Sequence, residues 1–236
     1  MKCNNLIIIA RYEEDITWAK DVEGDVIIYN KGNDWPWKDI PRVESENYGR
    51  EGETFVRGII EFYDNLENYD NLVFLQGNPF EHCADFIKYL SVDDKNNIIK
   101  LSDYVSSDHY PTDNYIFGKH LSIINLLLQI NDKSFSSNIK DCNPNNDTDS
   151  SNTDFFLFEE VMGLCSILNI EYKDKTIEWA NGAQYIVPVE KIKSKSKDWW
   201  INLHSIFFYL SRNKKIESWT YALERMWPLI WDYQEQ

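Results

Sequence analysis

The chain has 236 residues, of which 43% are hydrophobic, and it contains nine Trp, fourteen Tyr and twelve Phe. This composition excludes disorder over the whole chain and predicts a single folded domain over residues 1–236 with a sizeable aromatic core. The formal net charge of -15 argues against the broad basic surface on which nucleic-acid binding depends, so any phosphate must be held by a few local cations.

The cysteines and the apolar segments indicate the cellular context. Cys3, Cys83, Cys142 and Cys165 are scattered and form no C-x-x-C pair, so we expect reduced thiols and no zinc ribbon. The apolar run at residues 6–10 is shorter than the core of a signal peptide, and no run approaches the roughly 18 apolar residues of a membrane span. We therefore expect a cytoplasmic protein without a membrane span.

The amino-terminal third has the pattern of a βαβ unit. Residues 4–12 predict a strand, a short helix or turn follows near Trp18, and residues 25–30 predict a second strand. This order favours a parallel, buried sheet and hence an α/β fold. The loop at 33–48 shows no period.

A helix and a third buried strand follow. Apolar residues recur at helical spacing over residues 50–66, and residues 72–75 are apolar and strand-favouring until Gly77 and Pro79 end the strand. The turn should place Gln76, Asn78 and the following residues Glu81 and His82 at the carboxyl end of a strand, where open α/β sheets usually bind ligands.

The rest of the chain alternates helices with one polar segment and two short strands. We predict helices at 82–90, 118–130 and 155–168, strands at 176–179 and 184–187, and two closing helices, of which the last, at 216–233, should kink at Pro228. Residues 138–154 are almost wholly polar, which predicts a mobile surface loop; a lid that orders on ligand binding is the alternative.

Cationic side chains follow the first two strands. Arg11 and Lys31 should reach the same edge of the sheet and are candidate clamps for a diphosphate, while Tyr12 or Tyr29 would stack on a base. Arg50 begins the predicted helix, whose amino-terminal NH groups can bind an anion. The alternatives are structural: Arg11 pairs with a nearby acid, Lys31 is solvated, and Arg50 forms an ion pair.

The second pair of strands carries candidates for acceptor binding and proton transfer. Glu178 and Trp179 would supply a base and a flat apolar face, provided that the strand ends there, because neighbours on a strand point to opposite faces. Rival bases, beside the polar loop, are Asp154, Glu159 and Glu160. The four histidines are too dispersed to predict a metal site.

Six segments together resemble a family of uncharacterised proteins from fungi, algae and large DNA viruses whose members look like compact GT-A-type glycosyltransferases. They span nearly the whole chain: Ala10-Arg11-Tyr12-x-Glu14-Asp15-x-x-Trp18, Ile28-Tyr29-Asn30-Lys31-Gly32, Gly49-Arg50-Glu51-Gly52-Glu53-Thr54, Phe74-Leu75-Gln76-Gly77-x-Pro79-Phe80, Gly182-Ala183-Gln184 and Glu224-Arg225-x-Trp227-Pro228. The resemblance implies one GT-A-like, Rossmann-like domain whose mixed, mainly parallel sheet is flanked by helices. For a viral member, the location would be the host cytoplasm or the virion.

The resemblance also implies a nucleotide-sugar donor, a carbohydrate or glycoprotein acceptor, and residues for each. The implied donor-binding residues are Arg11, Tyr12, Asp15, Tyr29, Asn30, Lys31, Arg50, Gln76, Gly77 and Asn78. The implied acceptor-binding residues are Trp179, Gly182, Ala183 and Gln184.

The metal site of such enzymes is where this sequence departs from the pattern. GT-A enzymes commonly place Asp-x-Asp after a central strand to hold Mn²⁺ or Mg²⁺, whereas this chain has Gln76-Gly77-Asn78, without a carboxylate. Two alternatives follow. Either Arg11, Lys31 and Arg50 replace the metal in a glycosyltransferase, or the protein is an inactive carbohydrate-binding or assembly protein on the same scaffold.

Overall fold

A computed structural model describes residues 3–33, 39–92, 94, 96–110, 153–212 and 218–235. Side chains are not described at 153–159, 209–212, 218 and 219. The predicted helix at 118–130 therefore lies outside the described residues, and so does the predicted loop at 138–154 except for residues 153 and 154, which are helical.

The described strands form a six-stranded sheet and a separate two-stranded sheet. The strands are β1 Asn5–Arg11, β2 Asp25–Asn30, β3 Arg42–Glu44, β4 Asn71–Gln76, β5 Ile99–Lys100, β6 Val105–Tyr110, β7 Lys175–Ala180 and β8 Tyr185–Pro188. The larger sheet has the order β3-β2-β1-β4-β8-β5. Its first four strands are parallel and β8 is antiparallel to both β4 and β5, which confirms a mixed, mainly parallel α/β sheet.

The described helices vary in length, and the helix predicted at 82–90 needs revision. They are α1 Arg50–Phe62, α2 Phe86–Tyr89, α3 Thr153–Ile167, α4 Val189–Lys193, α5 Lys197–Arg212 and α6 Ser218–Asp232, with 3-10 turns at Thr17–Asp21, Tyr63–Asn68 and Pro79–Glu81. The predicted helix at 82–90 is wrong except for the single turn of α2. Its expected start is diverted because Asp103 NH donates to the carbonyl of His82 and the Asp103 carboxylate accepts the NH of Ala84. The last helix continues through Pro228.

Both faces of the larger sheet are buried, as expected for parallel strands. Successive side chains of β1 alternate between two cores, with Ile7 and Ile9 packed toward α2 and Leu6 and Ile8 toward the long helices. On the face that carries Leu6 and Ile8, Phe74 stacks on Trp227 and Trp231 of α6. Among the described residues, no helix is long and apolar enough to cross a membrane.

A buried ion pair joins the end of β2 to the start of α1. Lys31 Nζ lies 2.6 Å from Glu53 Oε2, and both side chains are almost fully inaccessible to solvent. The other carboxylate oxygen of Glu53 lies 2.9 Å from His204 Nε2 on α5. Although burial opposes ionisation of Glu53, hydrogen bonds from His204 and Lys31 hold its pKa below the usual range.

We expect removal of the ammonium group to leave an uncompensated buried carboxylate. Lys31→Met should lower the free energy of unfolding by about 3–5 kcal/mol in chemical denaturation at pH 7. Lys31→Met combined with Glu53→Gln should lose less than the sum of the two single variants by roughly 1–3 kcal/mol. Exposed Lys173→Met is the control, and strictly additive losses would contradict the coupling.

A second buried lysine should make stability depend on pH. Burial, with the neighbouring Lys191, lowers the pKa of Lys195 to about 7, although Asp232 and Glu235 act in the opposite direction. Between pH 7 and the ordinary lysine pKa, the unfolded chain therefore binds more protons than the folded chain, and stability rises with pH.

The difference between the parent protein and Lys195→Met isolates this effect. Between pH 7.5 and 9 the parent should gain roughly 2 kcal/mol more free energy of unfolding than Lys195→Met gains. Lys193→Met, which removes a more exposed ammonium group from the neighbouring end of α4, should follow the parent. Parallel curves for the parent and Lys195→Met would refute the assignment.

Candidate functional site

A cleft opens at the carboxyl ends of β1, β2 and β4. Within the sheet, β2 lies on one side of β1 and β4 lies on the other side. The strand order therefore reverses between β1 and β4. Open α/β sheets bind ligands at such points. The cleft has a volume of about 390 Å³ and is lined by Ala10, Arg11, Tyr12, Glu14, Lys31, Asn47, Arg50, Glu51 and Gln76.

Arg11 forms the floor of the cleft and is held rigidly. Its Nε donates to the carbonyl of Glu14 at 3.0 Å, and its Nη1 donates to the carbonyl of Asn33 at 2.9 Å and to the side-chain oxygen of Asn30. These three acceptors hold the guanidinium in a fixed orientation. The bond from Arg11 to Glu14 is to the backbone carbonyl, whereas the Glu14 carboxylate accepts the NH groups of Tyr12 and Glu13.

Lys31 lines the same cleft but its ammonium is directed into the protein. Its three N–H groups have three acceptors, namely the carbonyls of Tyr48 at 2.8 Å and Arg50 at 2.6 Å and the carboxylate of Glu53 at 2.6 Å. A lysine has three N–H donors, so all of them are committed. The geometry therefore favours Lys31 as a support for the backbone at Arg50, rather than as a clamp, and Lys31 is not the solvated lysine of the alternative prediction.

Arg50 stands at the rim of the cleft. Its side chain is exposed, with Cζ 4.8 Å from the ring centre of Tyr221. Gly49 and Arg50 both have left-handed backbone conformations, with φ of 65° and 49°, immediately before the first turn of α1. Arg11 and Arg50 thus bring two guanidinium groups to one cleft.

The other predicted donor residues differ in accessibility. Tyr12 is 48% exposed and lines the cleft, whereas Tyr29 is in the core and donates to Glu61, so Tyr29 has no exposed face for a base. Asn30 is buried and orients Arg11. Asp15 is exposed outside the cleft lining, where its carboxylate accepts the NH of Thr17.

The turn after β4 presents one of its three predicted residues to the cleft. Gln76 lines the cleft, and its backbone NH donates to Gln184 Oε1. A Cβ at Gly77 would lie 2.4 Å from a carboxylate oxygen of Glu14, so a side chain there would displace Glu14. Asn78 is partly buried and lies outside the residues that line the cleft.

The predicted acceptor residues form a buried turn against the same end of the sheet. Gln184 is fully buried, and its amide donates to the carbonyls of Pro79 and Leu101, so its role is structural. Ala183 is also buried. Gly182 has φ +84°, and a Cβ at that position would lie 2.3 Å from the His82 ring.

Glu178 and Trp179 do not form the predicted pair. Strand β7 continues to Ala180, so the two side chains point to opposite faces. Trp179 is buried, with Arg225 Cζ 4.8 Å from its ring centre. Glu178 forms an exposed ion pair with Lys100 at 3.0 Å and borders a different cavity of about 520 Å³.

The rival bases lie on α3. Asp154 and Glu159 are in this helix, but their side chains are not described, and Glu160 is partly buried. Nothing in the described geometry brings these three residues to the cleft.

Two glutamates that the sequence reasoning did not select lie where α1 packs against α6, and one of them lines the cleft. Glu51 lines it from the first turn of α1, and Glu224 on α6 accepts the NH of Gly182 at 2.7 Å. Burial raises the pKa of Glu51 to about 7, an effect to which the negative charge of Glu224 adds. Both residues belong to the segments that carry the family resemblance, which was the available signal.

The comparisons with known proteins identify a family without assigning an activity. Within the described residues, no group of three or more His, Cys, Asp and Glu side chains is arranged to hold a metal ion. No curated protein and no solved structure matches the chain. A family model described as "Protein of unknown function (DUF3431)" matches residues 6–236, nearly the full length, and the chain therefore belongs to the DUF3431 family.

Proposed function

We propose that the protein is a glycosyltransferase that moves a sugar from a nucleotide-sugar donor to a carbohydrate or glycoprotein acceptor. The observation that carries the proposal is the cleft at the strand-order reversal between β1 and β4, with Arg11 at its floor and Arg50 at its rim. The GT-A resemblance of the segments around these residues supports the same conclusion.

The cleft has chemistry suited to a diphosphate. Two guanidinium groups supply charge-assisted, planar donors, which match phosphate oxygens well. The cleft also adjoins the first turn of α1, whose 13 residues give its amino-terminal NH groups a favourable dipole for an anion. Tyr12, exposed in the same cleft, offers a ring face for a base.

Neutral and structural groups complete the donor site. Gln76 would orient the donor by hydrogen bonds from its place in the lining, while Asn30 and Lys31 fix Arg11 and the backbone of Arg50. The turn Gln76-Gly77-Asn78 presents no carboxylate for Mn²⁺ or Mg²⁺. We therefore propose that the arginines carry most of the diphosphate charge and that added metal has a small effect on affinity.

A non-catalytic carbohydrate-binding or assembly protein is the second candidate. It is favoured by the absence of a carboxylate from that turn and by the ion pair that occupies Glu178. The open cleft favours the enzyme. Release of nucleoside diphosphate from a nucleotide sugar would exclude the second candidate, whereas sugar binding without any donor turnover would support it.

Arg50 provides the cleanest test because its side chain is exposed and its loss should not disturb the core. In calorimetric titrations with UDP, GDP, UDP-glucose and GDP-mannose, with and without Mn²⁺, we expect binding at millimolar or lower concentration. Arg50→Gln should weaken the binding at least tenfold, as the loss of a hydrogen bond to a charged group predicts, without changing the thermal unfolding temperature.

Lys173→Gln removes one positive charge from an exposed position remote from the lining and should bind as the parent does. If no nucleotide and no nucleotide sugar binds at millimolar concentration, the proposed function is wrong.

A further inference from the structure

Four separate segments of the chain meet beside the part of the cleft that Glu51 lines. Glu51 comes from the start of α1 and Glu224 from α6, while Gly182 belongs to the β7–β8 turn and His82 follows the turn after β4. The two helices are in tight contact here, because a Cβ at Gly52 would lie 2.5 Å from a methyl carbon of Leu223. Glu51 directly precedes Gly52 in the chain, and Glu224 directly follows Leu223.

Glu224 is held in place while Glu51 faces the cleft. One carboxylate oxygen of Glu224 accepts the NH of Gly182 at 2.7 Å, and the His82 ring covers Gly182 closely. Glu51 is part of the cleft lining with Arg11, Arg50 and Gln76. The ligand-facing carboxyl and the fixed carboxyl thus have different environments, an arrangement that separates the functions of two like groups.

Building on the glycosyl transfer proposed above, we propose that Glu51 is the residue that accepts the proton of the acceptor hydroxyl, and that Glu224 is a positioning residue that adjusts the basicity of Glu51. As the acceptor oxygen forms its bond to the anomeric carbon, its proton passes to Glu51. The bond between the anomeric carbon and the diphosphate oxygen breaks, and its electron pair leaves with the nucleoside diphosphate. Glu51 then returns the proton to solvent.

The surroundings of Glu51 support this assignment. Burial raises its pKa to about 7, and Glu224 raises it further, while a hydrogen bond from its own backbone amide and the positive charges of Arg50 and Lys31 lower it. Burial also raises the pKa of Glu224, whereas the charges of Arg225, His82 and Arg50 lower it. A base whose pKa lies near neutral pH is efficient at proton transfer.

Activity measurements test the role of Glu51. With UDP-glucose and GDP-mannose as donors, we expect Glu51→Gln to lower release of nucleoside diphosphate at least a hundredfold while the Kd for UDP or GDP changes less than threefold. Glu224→Gln should retain turnover at high pH, but the acidic limb of its pH–rate profile should move to lower pH. Exposed Glu190→Gln should match the parent in both measurements.

Direct titration separates a failure of this inference from a failure of the proposed function. Carboxyl ¹³C NMR of glutamate-labelled protein, with Glu51→Gln for assignment, should show one carboxyl that titrates near pH 7. Glu224→Gln should lower this pKa and Arg50→Gln should raise it, whether or not any nucleotide binds, since both act through charge. The two glutamates are expected to titrate as a coupled pair.

The outcomes are decisive in both directions. Parent-like turnover of Glu51→Gln, or an acidic limb that Glu224→Gln does not move, overturns the catalytic assignment. A Glu51 carboxyl with an ordinary glutamate pKa overturns the electrostatic part, even if nucleotide sugars are bound and consumed. If no nucleotide binds but the opposite shifts are measured, the pair is supported and the glycosyl transfer is the part that fails.

Discussion

The buried contact between Lys31 and Glu53 is the constraint on which the candidate site depends. It joins the end of β2 to the first turn of α1, and the same ammonium also holds the carbonyls of Tyr48 and Arg50. The left-handed backbone at Gly49 and Arg50 is thereby fixed beside the end of the sheet. Because a buried ion pair has a large desolvation cost, its value here lies in the position of the cleft wall more than in added stability.

The overall charge of the protein makes this local arrangement necessary. A formal net charge of -15 repels an approaching anion, so long-range attraction cannot concentrate a diphosphate at the cleft. In the proposed function, recognition would depend on short-range contacts with Arg11 and Arg50, which both line the cleft. Salt then has two effects, since it screens the general repulsion and also weakens the direct contacts.

The sequence predicted the sheet better than it predicted the site. Periodicity alone placed the βαβ start, α1 and the strand ending at Gln76, because these elements are buried on a regular face. The helix expected at 82–90 failed because contacts with Asp103, far along the chain, take backbone groups that a helix needs. Glu178 was misplaced for a similar reason: β7 pairs with β6 in a separate sheet, which turns Glu178 away from the cleft. Local patterns carry no information about such pairings.

The charged residues that line the cleft have opposite signs, which explains how a carboxyl group can lie beside the proposed anionic ligand. Lys31 forms an ion pair with Glu53. The other charged residues of the cleft lining are Arg11, Arg50, Glu14 and Glu51. Glu14 accepts the NH groups of Tyr12 and Glu13, which stabilise its negative charge. Because the pKa of Glu51 is about 7, a substantial part of the population is ionised at neutral pH, and in the proposed reaction this carboxylate can accept a proton while the arginines hold the diphosphate.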